Sequence, residues 1–235
     1  MKHTFFIKDW LNSFLSLLFP HCCVVCGRPL AKGEECLCIM CNINLPRTNY
    51  HLRKDNPVER LFWGQIPLER ATSFFFYRKG SDFRQILHQL KYGGKKEVGI
   101  IMGRYMAAEL SDSGFFEGVD VIIPIPLHKK KQQIRGYNQS ECIARGISAV
   151  TGIAVCVESV VRRKNTETQT RKSVFERWEN VDGIFELNHA DSLTGKHILI
   201  VDDVLTTGAT IIACASRLAE VEGTRISVLT LAMAD

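Results

Sequence analysis

The chain has 235 residues, 46% of them hydrophobic and 23% charged, with a formal net charge of +5. That length suits one ordinary domain with a small addition, or two modest ones, and the apolar share is enough for a real core, which sets aside an unfolded or low-complexity chain. A mildly basic balance permits an anionic partner without requiring one.

Residues 1 to 19 read as an amphipathic helix. Phe6, Trp10, Phe14, Leu17 and Leu18 fall on one face at helical spacing. Lys8, Asp9 and Asn12 interrupt the apolar run and no small-residue cleavage site follows, so a signal peptide is not expected. The run is also too short and too polar to span a bilayer, and the expected location is cytoplasmic.

Six of the nine cysteines lie between Cys22 and Cys41. Crowding of this kind suggests a metal site in a reducing compartment rather than a disulfide framework. Cys23-Val-Val-Cys26 and Cys38-Ile-Met-Cys41 form two CxxC pairs separated by 11 residues. Each pair presents two thiolates from one tight turn, and two facing turns make a tetrahedral four-sulfur site that suits structural Zn²⁺. A redox dithiol or an iron–sulfur site is the competing reading. About thirty residues bury too little apolar surface to fold alone, so metal binding would supply folding energy to the module at 20 to 46. His21, Cys22 and Cys36 stand nearby and are not expected as ligands.

Residues 47 to 80 form a mixed connecting segment with a strand at Thr72 to Tyr77. From Ser81 onward helix and strand alternate. Ser81 can cap a helix carrying Phe83, Ile86, Leu87 and Leu90, which Gly93-Gly94 stops. A second helix runs through Met102, Tyr105, Met106 and Leu110. Val121-Ile122-Ile123 is a short buried strand stopped by Pro124, and residues 138 to 149 are helical, ending at Thr151-Gly152. Strands follow at Ile153 to Val157 and Ile198 to Val201, then a helix over 209 to 221 and a last strand at Ile226 to Leu231. The expected fold is α/β, a mainly parallel sheet with helices on both faces over residues 81 to 235, plus the small zinc-ribbon-like module. Cys142, Cys156 and Cys214 read as small core residues.

The segment Ile198-Leu-Ile-Val-Asp202-Asp203-Val-Leu-Thr206-Thr207-Gly208-Ala209-Thr210 carries the strongest signal. An apolar strand delivers two carboxylates to its carboxyl end, where open α/β sheets bind ligands. A small hydroxyl-rich loop then opens a helix, so backbone amides and helix N-terminus can cradle a phosphate while the carboxylates hold ribose hydroxyls. An ordinary strand–turn–helix with a capping Asp needs only one Asp and no Thr-Thr-Gly. No GxxxxGK[ST] occurs, so this is not a Walker A loop.

Two basic stretches follow strand ends: His128-Lys-Lys-Lys-Gln-Gln-Ile-Arg135, and Arg162-Arg-Lys164 through Arg171-Lys172. Lys129, Lys130, Arg135 and Arg171 can neutralise pyrophosphate or track a single-stranded nucleic-acid backbone, with Tyr137 available to stack on a base; a solvated surface is the bland alternative.

The segment from Ile198 to Thr210 resembles the phosphoribosyl-pyrophosphate (PRPP) motif of type I phosphoribosyltransferases. With the CxxC pairs, Pro124-Ile-Pro126-Leu, Arg135-Gly-Tyr-Asn-Gln139 and the stretch from Arg177 to Phe185, the chain resembles the ComF family over nearly its whole length. The resemblance implies that Asp202 and Asp203 bind the ribose 2′- and 3′-hydroxyls and are the catalytic candidates. It implies that Thr206, Thr207, Gly208, Ala209 and Thr210 cradle the 5′-phosphate, and that Mg²⁺ accompanies pyrophosphate at the loop after residues 121 to 125. Gln169 to Arg177 would match the catalytic loop in position. Three readings stand side by side: transfer of a phosphoribosyl group from PRPP to a nitrogen nucleophile, a non-catalytic competence factor handling single-stranded DNA, and a PRPP-sensing regulator. DNA uptake is the implied setting, with proteins of the competence machinery as partners. Because Asp235 follows the last strand, a hood over the site would have to come from residues 47 to 80 or from the zinc module.

Overall fold

A computed structural model describes residues 21–163 and 183–235. The expected N-terminal helix at 1 to 19, and the stretch from Gln169 to Arg177 with Arg171, lie outside the described residues.

The core is a five-stranded, all-parallel sheet. In chain order its strands are β1 (Leu68–Tyr77), β2 (Val121–Pro124), β3 (Ala154–Val155), β6 (His197–Leu205) and β7 (Arg225–Ala234), laid side by side as β1-β7-β6-β2-β3. The two remaining strands, β4 (Val160–Arg162) and β5 (Phe185–Leu187), pair antiparallel as a separate ribbon. The central strands are continuous apolar runs because both their faces are covered. Ile198 to Val201 are fully buried, and so are Val228 to Ala232.

One face carries α3 (Arg84–Tyr92), α4 (Lys96–Ser111) and α6 (Gln139–Thr151). The other carries α2 (Pro57–Arg60), α7 (Ala209–Leu218) and the ribbon. Helices α4 and α6 touch backbone to backbone. A Cβ on Gly103 would stand 2.2 Å from the Ile143 carbonyl oxygen, and one on Gly146 would stand 2.1 Å from that of Ile100. Only glycine fits either place.

The cysteine module, with its one-turn helix α1 (Ile39–Ile43), is seated on the first face rather than tethered beside it. Cys36 and Leu37 are buried in the same core as Met102, Met106 and Phe74. Arg104 Nη2 donates to both Glu35 carboxylate oxygens at 2.6 Å. Arg47 spans Glu109 at 2.6 Å and Asn42 at 2.6–2.9 Å.

The expected strands and helices are present with shifted ends. The strand expected at 72 to 77 begins at Leu68 and runs beside β7 as an edge of the main sheet. The strand expected at 153 to 157 contracts to two residues, since β2 offers it only Val121 and Ile122 as partners. The strand expected at 198 to 201 runs on through Asp202 and Asp203 to Leu205, because β7 continues alongside it. Ser81 accepts from the Phe83 amide and so sits one turn before α3, which starts at Arg84. The first basic stretch forms a helix, α5 (Lys129–Arg135), capped by His128, whose Nδ1 accepts from the Lys130 amide. No helix among the described residues is long and apolar enough to cross a membrane.

Candidate functional site

The carboxyl end of β6 is where the sheet, two helix N-termini and α3 converge. Asp202 and Asp203 are consecutive residues on that strand end. Asp202 Oδ1 accepts from Ser140 Oγ at 2.9 Å and from the Asp203 amide at 2.8 Å. Asp203 Oδ2 pairs with Lys91 Nζ at 3.1 Å. Burial, and then the Asp203 charge beside it, push the Asp202 carboxyl up to about 7, against the pull of the Asp203 amide, Ser140 and Lys91. The two carboxylates thus stand side by side as hydrogen-bond acceptors, with the Asp202 proton held more tightly than that of an ordinary carboxyl.

Beyond the carboxylates, residues 204 to 211 line a small recess. Thr206 and Thr207 are exposed, while Ala209 and Thr210 are half-buried at the start of α7. Gly208 precedes the helix with φ +76°, a left-handed conformation that turns the loop amides outward over the helix N-terminus. Phe62 packs beneath this turn: a Cβ on Gly208 would stand 3.2 Å from its Cε1. Phe62 is itself fully buried and belongs to the segment at 47 to 80.

The loop after β2 is tied to the same strand end. The Ile125 amide donates to the Val201 carbonyl at 2.9 Å, and Asn138 Nδ2 donates to the Ile125 carbonyl at 3.0 Å. Asn138 also caps α6, and this cap places Ser140 against Asp202. Of the expected basic residues, Arg135 donates to Gln139 Oε1 at 2.8 Å and lies over the Tyr92 ring at 5.5 Å. Lys129 and Lys130 are exposed on the first turn of α5. Arg162, at the end of the ribbon strand β4, is close enough to Asp202 to feel its charge and stacks on Phe185 at 5.6 Å. Tyr137 does not present its ring as a stacking surface: its hydroxyl is bonded to the Leu90 carbonyl at 2.6 Å and its ring packs on the core.

Three contributors escape a linear reading. Lys91, Ser140 and Phe62 meet the motif only through the fold, and nothing in their neighbours marks them. The nearest signal was Asn138 two residues before Ser140, a cap at the head of a helix that follows a strand end.

In the module on the first face, the sulfurs of Cys23, Cys26, Cys38 and Cys41 all lie within 4.8 Å of one another, with Cys26 and Cys38 at 3.7 Å. Four sulfurs about 2.3 Å from one zinc ion stand about 3.8 Å apart, so the cluster is compatible with a closed structural zinc site. Arg28 Nε donates to Cys26 at 3.5 Å and Nη2 approaches Cys38 at 3.9 Å. That guanidinium draws the Cys26 thiol down to about 6, towards the thiolate that a metal requires. Cys36 faces the core beside Met102 instead, and burial pushes its thiol up to about 12.

Comparison with known proteins bears on both ends of the molecule. Residues 138–234 match the phosphoribosyl transferase domain family. The DNA utilization protein YhgH of Escherichia coli (strain K12) is 29% identical over 217 residues, covering 86% of this chain and 92% of that protein. Competence protein ComFC of Bacillus subtilis is 26% identical over 204 residues, covering 85% of this chain and 72% of that protein. Competence protein F of Haemophilus influenzae is 34% identical over 93 residues, 39% of this chain and 41% of that protein. The chain is thus a homologue of these DNA utilization and competence proteins, and it carries a stretch that matches the phosphoribosyl transferase domain family. The domain match begins at Asn138, the α6 cap, and takes in Ser140, both carboxylates and the whole loop.

Proposed function

We propose that this chain binds PRPP with Mg²⁺ at the end of β6, holds Zn²⁺ at its four cysteines, and works in the cytoplasm in the uptake or use of DNA. The observation that carries the reading is the union of two adjacent carboxylates with a Thr-Thr-Gly turn at a helix N-terminus, on a parallel strand. In this reading Asp202 and Asp203 accept the ribose hydroxyls, and the amides and hydroxyls of residues 206 to 210 receive the 5′-phosphate. Magnesium would supply charge neutralisation at the pyrophosphate oxygens, largely through water. Arg135 approaches from the β2 side, and Lys129, Lys130 and Arg171 extend the basic ground that a pyrophosphate or a DNA backbone would meet. The names of the relatives support DNA utilization and competence as the setting, with single-stranded DNA and competence-machinery proteins as partners.

Calorimetric titration of the zinc-loaded chain with PRPP and Mg²⁺ tests it, beside an Asp202→Asn/Asp203→Asn double variant. Binding by the parent and none by the variant is the expected result. Equal behaviour of the two, with single-stranded DNA retained by both, would make the strand end a feature of the fold and leave a DNA-handling module.

A further inference from the structure

The phosphate recess is not the only concavity at the end of β6. On the α3 side lies a second pocket of about 410 Å³, within the size range of small-molecule sites. Val204 borders both, so the two share a wall.

The composition of this pocket is specific. Leu87 and Val204 make its apolar floor, and Tyr77, His88 and Tyr92 are aromatic. Arg84 and Lys91 bring positive charge. Arg84, His88, Lys91 and Tyr92 recur at helical spacing, so a single stripe of α3 supplies two rings and two cations. His88 and Tyr92 stand one turn apart with ring centroids 5.5 Å apart and planes tilted by 50°. Tyr92 is 70% exposed, and Arg135 lies over its ring. Arg84 is anchored at the rim by a bond from Nη1 to the Lys79 carbonyl at 3.1 Å. The opposite end is fixed by the Lys91–Asp203 pair. Exposed rings beside anchored cations suit a flat heteroaromatic group that carries an anion.

We propose that this pocket binds a nucleotide unit, with its base against His88 and Tyr92 and its phosphate towards Arg84, as a site separate from the loop at 206 to 210. A free mononucleotide and the terminal residue of a DNA strand present the same chemistry, and the test distinguishes them.

The full zinc-loaded chain is titrated with dAMP, with deoxyadenosine, and with a 5′-phosphorylated oligodeoxyadenylate, each in the presence and absence of saturating PRPP and Mg²⁺. The variants are Tyr92→Ala and Arg84→Ala, both at exposed side chains, with thermal melting to confirm the fold. The parent is expected to bind dAMP with PRPP present. Tyr92→Ala should weaken this about tenfold or more, through loss of the stacking surface. Arg84→Ala should bring dAMP down to the level of deoxyadenosine. Tighter binding of the oligonucleotide than of dAMP, with both sensitive to Tyr92→Ala, assigns the site to strand ends; the reverse order assigns it to free nucleotide.

Two results overturn the proposal. One is the absence of nucleotide binding by the parent, whether or not PRPP binds. The other is nucleotide binding that PRPP displaces and Gly208→Ala abolishes while Tyr92→Ala leaves it intact, which would place the nucleotide at the loop. PRPP binding, read in the same titrations without nucleotide, reports separately on the strand-end site.

Discussion

The cysteine module and the β6 strand end are built in opposite ways. The module's four sulfurs come from two tight turns within 19 residues, and its geometry is local. The strand-end site takes Phe62, Lys91, Ser140 and the segment from Asp202 to Gly208 from four parts of the chain and exists only when the sheet is assembled. A site made by local turns must be closed by something that binds those turns, and thiolates call for a metal. A site made by packing needs no ligand to exist, but it carries the cost of placing carboxylates where water is scarce. Losing the metal should therefore damage the module first, while losing a carboxylate should relieve the strand end.

The largest effect is expected from metal removal. Chelation, or Cys23→Ser, should lower stability by about 3 kcal/mol or more, since zinc binding to such modules is itself folding energy. Because Cys36 and Leu37 are part of the main core, the loss should reach α4. Hydrogen exchange by mass spectrometry should show residues 21 to 47 and α4 losing protection together, with the loop at 206 to 210 spared. Loss confined to residues 21 to 47 would mean that the module is only perched on the sheet.

Gly146→Ala comes next. Its Cβ has no room against the Ile100 carbonyl, so α4 and α6 must part, at a cost of about 3 kcal/mol. Chemical denaturation measures this directly. Since α6 also carries Ser140, PRPP affinity should fall with stability while zinc content stays unchanged.

Asp202→Asn should move stability the other way. The folded-state value of about 7 lies above the ordinary 3.8, so between these values the folded chain holds more protons than the unfolded one. The contribution of this carboxyl to stability is thus present at low pH and is lost as pH rises through that window. Replacing it by a neutral isostere should flatten the dependence and raise the melting temperature above pH 7 by roughly 4 °C. PRPP binding should fall in the same variant. A melting temperature that drops at every pH would show that Asp202 is a structural carboxylate held by Ser140 rather than a strained ligand group.

The smallest effect is expected at the seam between the two regions. Arg104→Ala removes the pair with Glu35, both of whose side chains are about 40% exposed, and should cost under about 1 kcal/mol, less at high salt. A larger loss would move the anchoring of the module from apolar burial to this ion pair.

Much of the molecule was legible in the linear chain because its signals are local. The CxxC spacing needs no partner to be read, and neither does the apolar run ending in Asp202-Asp203-Val-Leu-Thr-Thr-Gly. The alternation of apolar strands and amphipathic helices sufficed for a parallel sheet, since crossover connections allow few other arrangements. Element ends were less legible. The extension of β6 through Leu205 and the contraction of β3 to two residues depend on how far the neighbouring strand runs, and no residue within either segment encodes that.

What the tertiary structure alone decided is which distant residues became neighbours. Lys91 is one of thirty basic side chains and has nothing to distinguish it until α3 lays it against Asp203. Tyr137 reads in the sequence as a ring free to stack beside basic residues, whereas Tyr92 carries no such signal. Packing turned the first inward onto Leu90 and left the second at the mouth of a pocket. Phe62 came from a segment without clear periodicity and ended beneath the turn at Gly208. The sequence by itself determined the chemical groups, four thiols, two adjacent carboxylates and a hydroxyl-rich turn at fixed local spacing. The fold determined the charge state of that chemistry, because burial and proximity, which set the Asp202 carboxyl near neutrality, are properties of the assembled sheet and of no stretch of chain alone.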